Sequence, residues 1–387
     1  MEVVARELLP ELASVAPGLE FTAFLSREGY RAVASGGLRL PASFRVVELP
    51  VPARNRFAQV SGEQILLPLF AERGGVDLIH SLASTAPRIC RIPQVVTVHD
   101  LIYARFPQAH RRVMAAGLAV LVPAAVRAAE VITVPSEATK QDVVAEFGIG
   151  EERIVVTPWG TRIGLRPGPD AVAEVRSRLR IPDQRVVLAL SARRPHKNIE
   201  GLLEAIARID ARRRPTVLLP GYRTWRDSAL ERLAEELGID DRVRFLPWLD
   251  DRELEALWCC ADCFVHPAFY EGFGLPVLEA MARGVPVACS NIPSLLEIAG
   301  DAAILFNPRD IDEMSGRIEE LVWNEQLQRD LRAKGLERAQ SFSWQRAALL
   351  TVRAYALALG HPAPPESWLV GRPKLREGSV GARGSTV

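Results

Sequence analysis

Short apolar runs alternate with amphipathic helical stretches along most of the 387-residue chain. Three of these runs lie at residues 77–80, 94–98 and 130–134, and each is only four or five residues long. Apolar runs of this length are typical of strands that are buried on both faces of a parallel sheet. The alternation therefore predicts an α/β fold with two doubly wound parallel sheets, one in each half of the chain.

A stretch rich in proline and glycine, residues 158–170, predicts a boundary between the two halves. We expect an N-terminal domain at 1–163, a C-terminal domain at 164–342 and a closing helix at 343–360. The last stretch, 361–387, is rich in Pro, Gly, Ser and Arg, which predicts a flexible tail.

The charge balance argues against nucleic acid as a partner. Lysine and arginine number 48 and aspartate and glutamate 47, so the net charge of +1 creates no overall field.

No apolar run reaches the roughly 18 residues of a membrane span, and the start lacks a secretory signal. We expect a cytoplasmic protein. The helical stretch 109–129 carries Arg111, Arg112 and Arg127, so it is either a core helix or a weak peripheral contact with the inner face of the cell membrane.

Cysteine usage does not predict a metal site. Of five cysteines, Cys260 and Cys263 have C-x-x-C spacing, but a zinc site needs a second pair of ligands and none with suitable spacing exists. We interpret these cysteines as small core residues, which suits a reducing compartment.

Three predicted strands end in loops with unusual polar residues. His99 and Asp100 follow the strand at 94–98, residues 193–198 follow a strand in the second half, and residues 271–279 follow another. Ligands of open α/β sheets bind beyond the carboxyl ends of the strands. The three loops therefore predict a site in a cleft between the two lobes.

The sequence at 271–279 is EGFGLPVLE, a loop with two glycines that leads into a helix. Gly272 and Gly274 allow a close approach of the backbone to a ligand. The free N–H groups near Leu275 favour phosphate, and Glu279 is placed to accept hydrogen bonds from sugar hydroxyls. Glu271 would face the reacting sugar. The alternative is an acidic helix N-terminus beside a tight turn.

Lys197 lies between a strand and a helix, where it would neutralise a diphosphate as a point charge. Arg193 is our candidate for a second cation that binds this diphosphate, with Arg194 as the alternative. His99 would contact a hydroxyl or move a proton. A solvated loop lysine and a structural histidine are the alternatives for Lys197 and His99.

Taken together, these motifs resemble a known family, the retaining group-1 glycosyltransferases. That family has the GT-B fold, in which two Rossmann-like domains face a central cleft. The resemblance covers nearly all residues to about 359. It is carried by EGFGLPVLEAMA at 271–282, GVPV at 284–287, Ser290, Asn291, Glu297, GDAA at 300–303, His196, Lys197, Asn198, His99, Asp100 and Ser136.

The resemblance implies that the C-terminal lobe binds a nucleotide-sugar and the N-terminal lobe a glycan or lipid-linked acceptor. Lys197 and a nearby arginine would hold the diphosphate, Glu279 the ribose, and Glu271 the hydroxyls of the transferred sugar. His99 would lie near that sugar, and His99 with Asp100 would face the acceptor.

The resemblance also implies that backbone N–H groups from Phe273 to Leu275 contact the donor. Transfer would retain the anomeric configuration, and no cofactor or metal would be needed because cations and the helix dipole stabilise the departing diphosphate. The helix that begins near Ser343 would cross back onto the N-terminal lobe.

The chain departs from the family pattern in three places. Leu190 and Ser191 replace a Gly-Arg pair, and Pro247 and Trp248 replace a glycine-containing turn near the base. The family begins with a strand and a glycine-rich loop, whereas residues 2–15 already form a helical pattern. Either the recorded start codon lies too far downstream, or the chain lacks its first strand.

We therefore expect an enzyme that transfers a sugar, possibly mannose or a similar hexose, from a nucleoside diphosphate donor to a glycan or lipid-linked acceptor. A non-catalytic subunit that binds a sugar or nucleotide is an alternative, because the first glycine loop is missing. A sugar phosphorylase or epimerase on the same fold is a third hypothesis.

Overall fold

A computed structural model of the chain describes residues 2–37, 39–109, 112–162, 167–190 and 192–368. Within these ranges the strands form three sheets, and every pair of neighbouring strands is parallel. The predicted α/β fold is confirmed. The N-terminal half differs from the prediction in one respect, because its strands are divided between a four-stranded and a two-stranded sheet.

The strands are short, as the apolar runs predict. Their bounds are β1 Phe21–Leu25, β2 Phe44–Glu48, β3 Ile79–Ser81, β4 Gln94–Thr97, β5 Val131–Val134, β6 Ile154–Val156, β7 Val186–Leu188, β8 Thr216–Pro220, β9 Val243–Leu246, β10 Cys263–His266, β11 Val287–Ser290 and β12 Ile304–Phe306. The N-terminal sheets have the orders β1-β2 and β3-β4-β5-β6, and the C-terminal sheet has the order β12-β11-β10-β7-β8-β9.

The helices cover the sheets as crossover connections between parallel strands. Their bounds are α1 Glu2–Val15, α2 Arg27–Ala34, α3 Arg56–Ser61, α4 Leu67–Arg73, α5 Ile102–Arg105, α6 Arg112–Ala128, α7 Glu137–Phe147, α8 Pro169–Arg178, α9 Ile199–Arg208, α10 Asp227–Glu236, α11 Asp251–Cys260, α12 Leu275–Ala282, α13 Pro293–Ala299, α14 Ile311–Trp323, α15 Glu325–Ala339 and α16 Trp344–Ala358.

The C-terminal sheet is buried on both faces. Successive residues of a strand point to opposite faces, and in β10 Phe264 belongs to one hydrophobic cluster and Val265 to the other. The first cluster includes Leu278 of α12, and the second includes Leu202 of α9. The fully buried strands hold the loops at their carboxyl ends in fixed positions.

The last helix packs against the N-terminal half. Residues of α16, among them Val352, share a hydrophobic cluster with Leu8 and Leu12 of α1. Tyr355 of α16 also forms a hydrogen bond with β3, where its hydroxyl lies 2.8 Å from Nδ1 of His80. The chain therefore returns to its first half after completing the second.

The sequence patterns did not predict α2, α8 or α13. Gly168 and Pro169 lie in the stretch that we interpret as a loop, yet Pro169 begins α8, and Pro293 begins α13. Proline in the first helical turn lacks only an N–H that would be unpaired in any case. At these two positions proline begins a helix and does not mark a loop.

Some predictions lie outside the described residues. They concern Arg111, Ser191, the domain boundary within 163–166, and the tail beyond 368. In the part of the chain that is described, no helix is long and apolar enough to cross a membrane.

Candidate active site

Lys197 and Glu271 meet at the carboxyl ends of β7 and β10, which are neighbouring strands. Oε1 of Glu271 accepts a hydrogen bond from Nζ of Lys197 and another from Nε2 of His266, the last residue of β10, at 2.7 Å. The three side chains are largely buried, with 14%, 10% and 1% exposed for Lys197, Glu271 and His266. Two residues that the sequence assigns to the donor site are thus in direct contact.

The contacts of Glu271 with Lys197 and His266 determine the protonation state of its carboxyl group. Burial alone would raise the pKa of Glu271, but the Lys197 ammonium and the hydrogen bond from His266 hold that pKa well below its usual range. Burial lowers the pKa of His266, so its ring is neutral. The site therefore contains an ionised carboxylate and a neutral imidazole at physiological pH.

The position of Lys197 follows from its local backbone. Residues Pro195–Lys197 form a 3-10 turn, and Asn198 then adopts a left-handed conformation with φ of 54° at the start of α9. Nδ2 of Asn198 donates to the carbonyl oxygen of Pro308 at 2.9 Å, which fixes the turn to the neighbouring loop. Asparagine tolerates this conformation better than most residues.

The loop between β10 and α12 makes close contact with the N-terminal half at Gly272. A Cβ atom at this position would lie 1.9 Å from the carbonyl oxygen of His99. The carbonyl oxygen of Gly272 accepts hydrogen bonds from Oγ of Ser136 at 2.6 Å and Oγ1 of Thr139 at 2.8 Å. Only glycine fits here, and the two halves meet directly beside Glu271.

Gly274 shapes the start of α12. Its φ of 109° lies in the region that favours glycine. No side chain caps the helix, and the N–H groups of Phe273, Gly274 and Leu275 donate to no acceptor within the described residues. Free N–H groups and the helix dipole make this end of α12 suited to phosphate.

Glu279 lies one turn into α12 and does not contact Glu271. Burial raises the pKa of Glu279 to about 7, with Arg283 acting in the opposite direction and Glu255 in the same direction. Arg283 itself donates to Oε2 of Glu255 at 2.9 Å and to the carbonyl oxygen of Glu279 at 3.0 Å. The Glu279 carboxyl therefore remains available for another hydrogen-bond partner.

His99 lies across from this loop, at the end of β4. Nε2 of His99 forms a hydrogen bond with the carbonyl oxygen of Leu82 at 2.5 Å, and its ring packs against Trp159 at 5.3 Å. Burial lowers the pKa of His99 to about 4, so the ring is neutral. With Nε2 donating, Nδ1 is an acceptor, and it is buried without a partner in the described structure. This nitrogen is available to a ligand hydroxyl.

Asp100 lies just before the short helix α5, and its Oδ1 accepts a hydrogen bond from the N–H of Ile102 at 2.9 Å. Burial raises the pKa of Asp100, Glu271 raises it further, and Lys197 and Arg194 lower it. Asp100 therefore interacts electrostatically with both members of the Lys197–Glu271 pair and with Arg194.

Arg193 is not part of this group, contrary to our expectation. Its guanidinium is buried, where it pairs with Asp227 and donates to the carbonyl oxygen of Leu219 at 2.7 Å. The ring of Phe245 lies 5.2 Å away. The geometry does not support Arg193 as a donor ligand, and Arg194, which is exposed, is the better candidate.

Sequence reasoning missed two residues near Glu271. His266 is one, and its only signal is a polar side chain at the end of an apolar strand. Tyr270 is the other. Its hydroxyl donates to Oδ2 of Asp142 at 2.7 Å and accepts from the N–H of Leu101 at 3.2 Å. No local pattern indicates the two contacts of Tyr270, because Asp142 and Leu101 are distant in sequence.

A cavity of about 720 Å³ lies at the opposite edge of the six-stranded sheet. Arg185, Arg214 and Asp262 contribute to its lining. Arg185 donates to Asp262 at 2.8 Å, and Arg214 donates to the carbonyl oxygen of Ala207 at 2.7 Å. The donor-site residues predicted from the sequence, Lys197 and Glu271, lie at the other, carboxyl edge of this sheet. No cluster of three His, Cys, Asp or Glu residues suited to a metal occurs in the described part of the chain.

The fold, two α/β lobes with parallel sheets, is one that solved glycosyltransferases share. The structure is similar to that of HepE from Anabaena in complex with UDP and glucose, with a TM-score of 0.70, 21% identity, and coverage of 92% of this chain and 95% of that chain. It is also similar to WaaG, a glycosyltransferase involved in lipopolysaccharide biosynthesis, with a TM-score of 0.68, 16% identity and coverage of 96% of each chain. At these identities the likeness shows the fold.

Sequence comparison gives the family. The group 1 glycosyl transferase model matches residues 172–338, and the glycosyltransferase family 4 model matches residues 1–163. O-antigen chain mannosyltransferase B of Escherichia coli is 33% identical over 266 residues, which are 68% of this chain and 70% of that protein. The chain belongs to the group 1 glycosyltransferases of the family 4 type.

A second relative is the MMP alpha-(1->4)-mannosyltransferase of Mycolicibacterium hassiacum. It is 34% identical over 238 residues, which are 60% of this chain and 55% of that protein. The chain thus aligns with little more than half the length of this relative.

Proposed function

We propose that the protein transfers a hexose from a nucleoside diphosphate donor to a hydroxyl of a glycan or lipid-linked acceptor, with retention of configuration. The observation that carries the proposal is the contact of Lys197 with Glu271 beside the free N-terminus of α12. A cation, a carboxylate and unpaired N–H groups are the groups that a sugar diphosphate requires.

Each group has a role on the donor. Lys197, the N–H groups at Phe273–Leu275 and Arg194 stabilise the charge that develops on the diphosphate as its bond to the anomeric carbon breaks. Glu271 accepts hydrogen bonds from the hydroxyls of the sugar through an oxygen that keeps free lone pairs. Glu279 accepts from the ribose. These cations suffice for the leaving group, so no metal is required in this mechanism.

His99 and Asp100 belong to the acceptor side. Nδ1 of His99 is a buried acceptor without a described partner, which suits a sugar hydroxyl. We assign acceptor binding to residues 1–163 and donor binding to residues 164–342. The enzyme would act in the cytoplasm, with weak contact to the membrane that carries a lipid-linked acceptor.

Mannose is the first sugar to test, because both relatives described above are mannosyltransferases by name. HepE, which shares the fold, binds UDP and glucose. The donor panel should therefore combine GDP and UDP with mannose, glucose and N-acetylglucosamine.

The test is the rate of sugar transfer by wild type, Glu271→Gln and Lys197→Ala. Each variant should lose at least about tenfold in rate, because each removes a charged partner from a buried group. Glu235→Gln and Lys334→Ala, at exposed positions, are matched controls that should transfer at the wild-type rate. Wild-type rates in both site variants would overturn the proposal.

Two other results would identify a different function. Donor binding without turnover, with every acceptor offered, would indicate a non-catalytic binding subunit. Turnover of the donor with inorganic phosphate, or of the nucleotide-sugar alone, would indicate a phosphorylase or an epimerase.

A further inference from the structure

The inference concerns His266 and rests on the proposed function. His266 ends β10, and its side chain is 1% exposed. Its backbone is fixed by the sheet, because it pairs with Cys289 in β11 and its carbonyl oxygen accepts from Oγ of Ser290 at 3.3 Å. The ring stacks on Phe264 at 5.9 Å. The imidazole is thus held on a rigid element.

The hydrogen bond to Glu271 defines the tautomer. Nε2 of His266 lies 2.7 Å from Oε1 of Glu271. An ionised carboxylate only accepts hydrogen bonds, so Nε2 carries the proton and donates. Burial lowers the pKa of His266, and although the contact with Glu271 raises it and Lys197 lowers it, the net change is downward, so the ring acts as a neutral donor.

The Glu271 carboxylate accepts hydrogen bonds from two different donors, a neutral imidazole and an ammonium group. Its Oε1 accepts from His266 and from Lys197, and Oε2 has no partner within the described residues. Lys197 is the group that we assign to the diphosphate. When Lys197 turns to a phosphate oxygen, His266 is the donor that remains on Oε1.

We propose that His266 is a positioning residue that holds the Glu271 carboxylate in place for the sugar while Lys197 engages the diphosphate. Burying a polar ring costs free energy unless the ring is hydrogen-bonded. The bond to Glu271 therefore accounts for a histidine at this buried strand end.

The first experiment compares His266→Phe, which keeps a ring but has no donor, with His266→Gln, whose amide can donate from about the same position. We expect His266→Phe to lower kcat about 10- to 100-fold, as for a lost hydrogen bond to a charged group. His266→Gln should recover most of this loss, and KM for the donor should change by less than about threefold.

The pH profile gives a readout that a merely structural role would not change. The charged and titratable groups that act on Glu271 are Lys197, His266 and Asp100, and Arg194 acts on Asp100. In wild type the pKa of Glu271 is far below its usual range, so Glu271 gives no acid limb near neutral pH. In His266→Phe the pKa of Glu271 should rise, and kcat should fall at acid pH where wild type does not.

A second measurement does not depend on catalysis. The ¹⁵N spectrum of the wild-type protein labelled at its 6 histidines should show His266 neutral, with its proton on Nε2, and His266→Gln assigns the signal. A proton on Nδ1, or a charged ring at neutral pH, would overturn the inference.

The outcomes separate the inference from the proposed function. If wild type transfers no sugar, the proposed function fails. The ¹⁵N spectrum then still tests whether neutral His266 donates a hydrogen bond from Nε2 to Glu271. If wild type transfers sugar and folded His266→Phe matches its kcat and pH profile, the inference fails and the function stands. An equal, pH-independent loss in both variants would also overturn the positioning role.

Discussion

Replacing Gly272 by alanine should separate the two halves of the protein at the active site. The added Cβ would lie 1.9 Å from the carbonyl oxygen of His99 and 2.9 Å from Cβ of Asp100. Neither atom can rotate away, because one belongs to the backbone and the other is attached to it. Contacts of a Cβ below 3.0 Å essentially never occur, so the two segments must move apart by about 1 Å.

The expected effect is large on catalysis and modest on stability. Overpacking of this kind costs about 1–3 kcal/mol, whereas a displacement of about 1 Å at a reacting centre can lower a rate about 100-fold. The hydrogen bonds from Ser136 and Thr139 to the Gly272 carbonyl, now 2.6 and 2.8 Å, would also lengthen. We therefore expect kcat to fall about 100-fold in a protein that still folds.

The assay is the transfer rate at saturating donor, together with thermal unfolding and donor affinity by calorimetry. Gly316→Ala in α14 is the matched control, since a Cβ there meets no atom within 4 Å, and it should keep the wild-type rate. A kcat for Gly272→Ala within about threefold of wild type would show that the lobes do not need this close contact.

Two further predictions concern buried charges. Arg193→Ala breaks the buried pair with Asp227 and should lower the free energy of unfolding, measured by denaturant titration, by about 3–5 kcal/mol. The folded protein should still bind the donor with wild-type affinity. Lost donor affinity at unchanged stability would instead make Arg193 a donor ligand. Burial raises the pKa of Glu279 from 4.5 to about 7, so the native state binds more protons in this interval and stability should fall as pH rises through it. The carboxyl is partly solvated, so the expected loss is on the order of 2 kcal/mol. Glu279→Gln should remove that loss in urea titrations at pH 5 and pH 8, and an equal pH dependence in both proteins would contradict the assignment.

The fold was accessible from sequence because its signals are local. Each strand of the C-terminal sheet is a short apolar run, and the helices that cover the two faces of the sheet have amphipathic sequence patterns. The helix starts at Pro169 and Pro293 were missed because proline also marks loops. The division of the N-terminal strands into two sheets depends on long-range pairing, which no local pattern encodes.

The site was accessible only in part. Glu271 and Lys197 could be placed together because both follow strands, and the carboxyl ends of parallel strands meet at one edge. The pairing of Arg193 with Asp227 could not be predicted, because the two residues are 34 positions apart in the sequence. The role of His266 depends on how the loop to Glu271 closes, which the sequence does not specify.

The most direct measurement is a crystal structure of the protein with the nucleoside diphosphate of its donor. We predict that the diphosphate lies at the N-terminus of α12, with oxygens at hydrogen-bond distance from Nζ of Lys197 and from the N–H groups of Phe273–Leu275. A diphosphate bound elsewhere, for example in the cavity lined by Arg185 and Arg214, with the Lys197–Glu271 pair untouched, would contradict it.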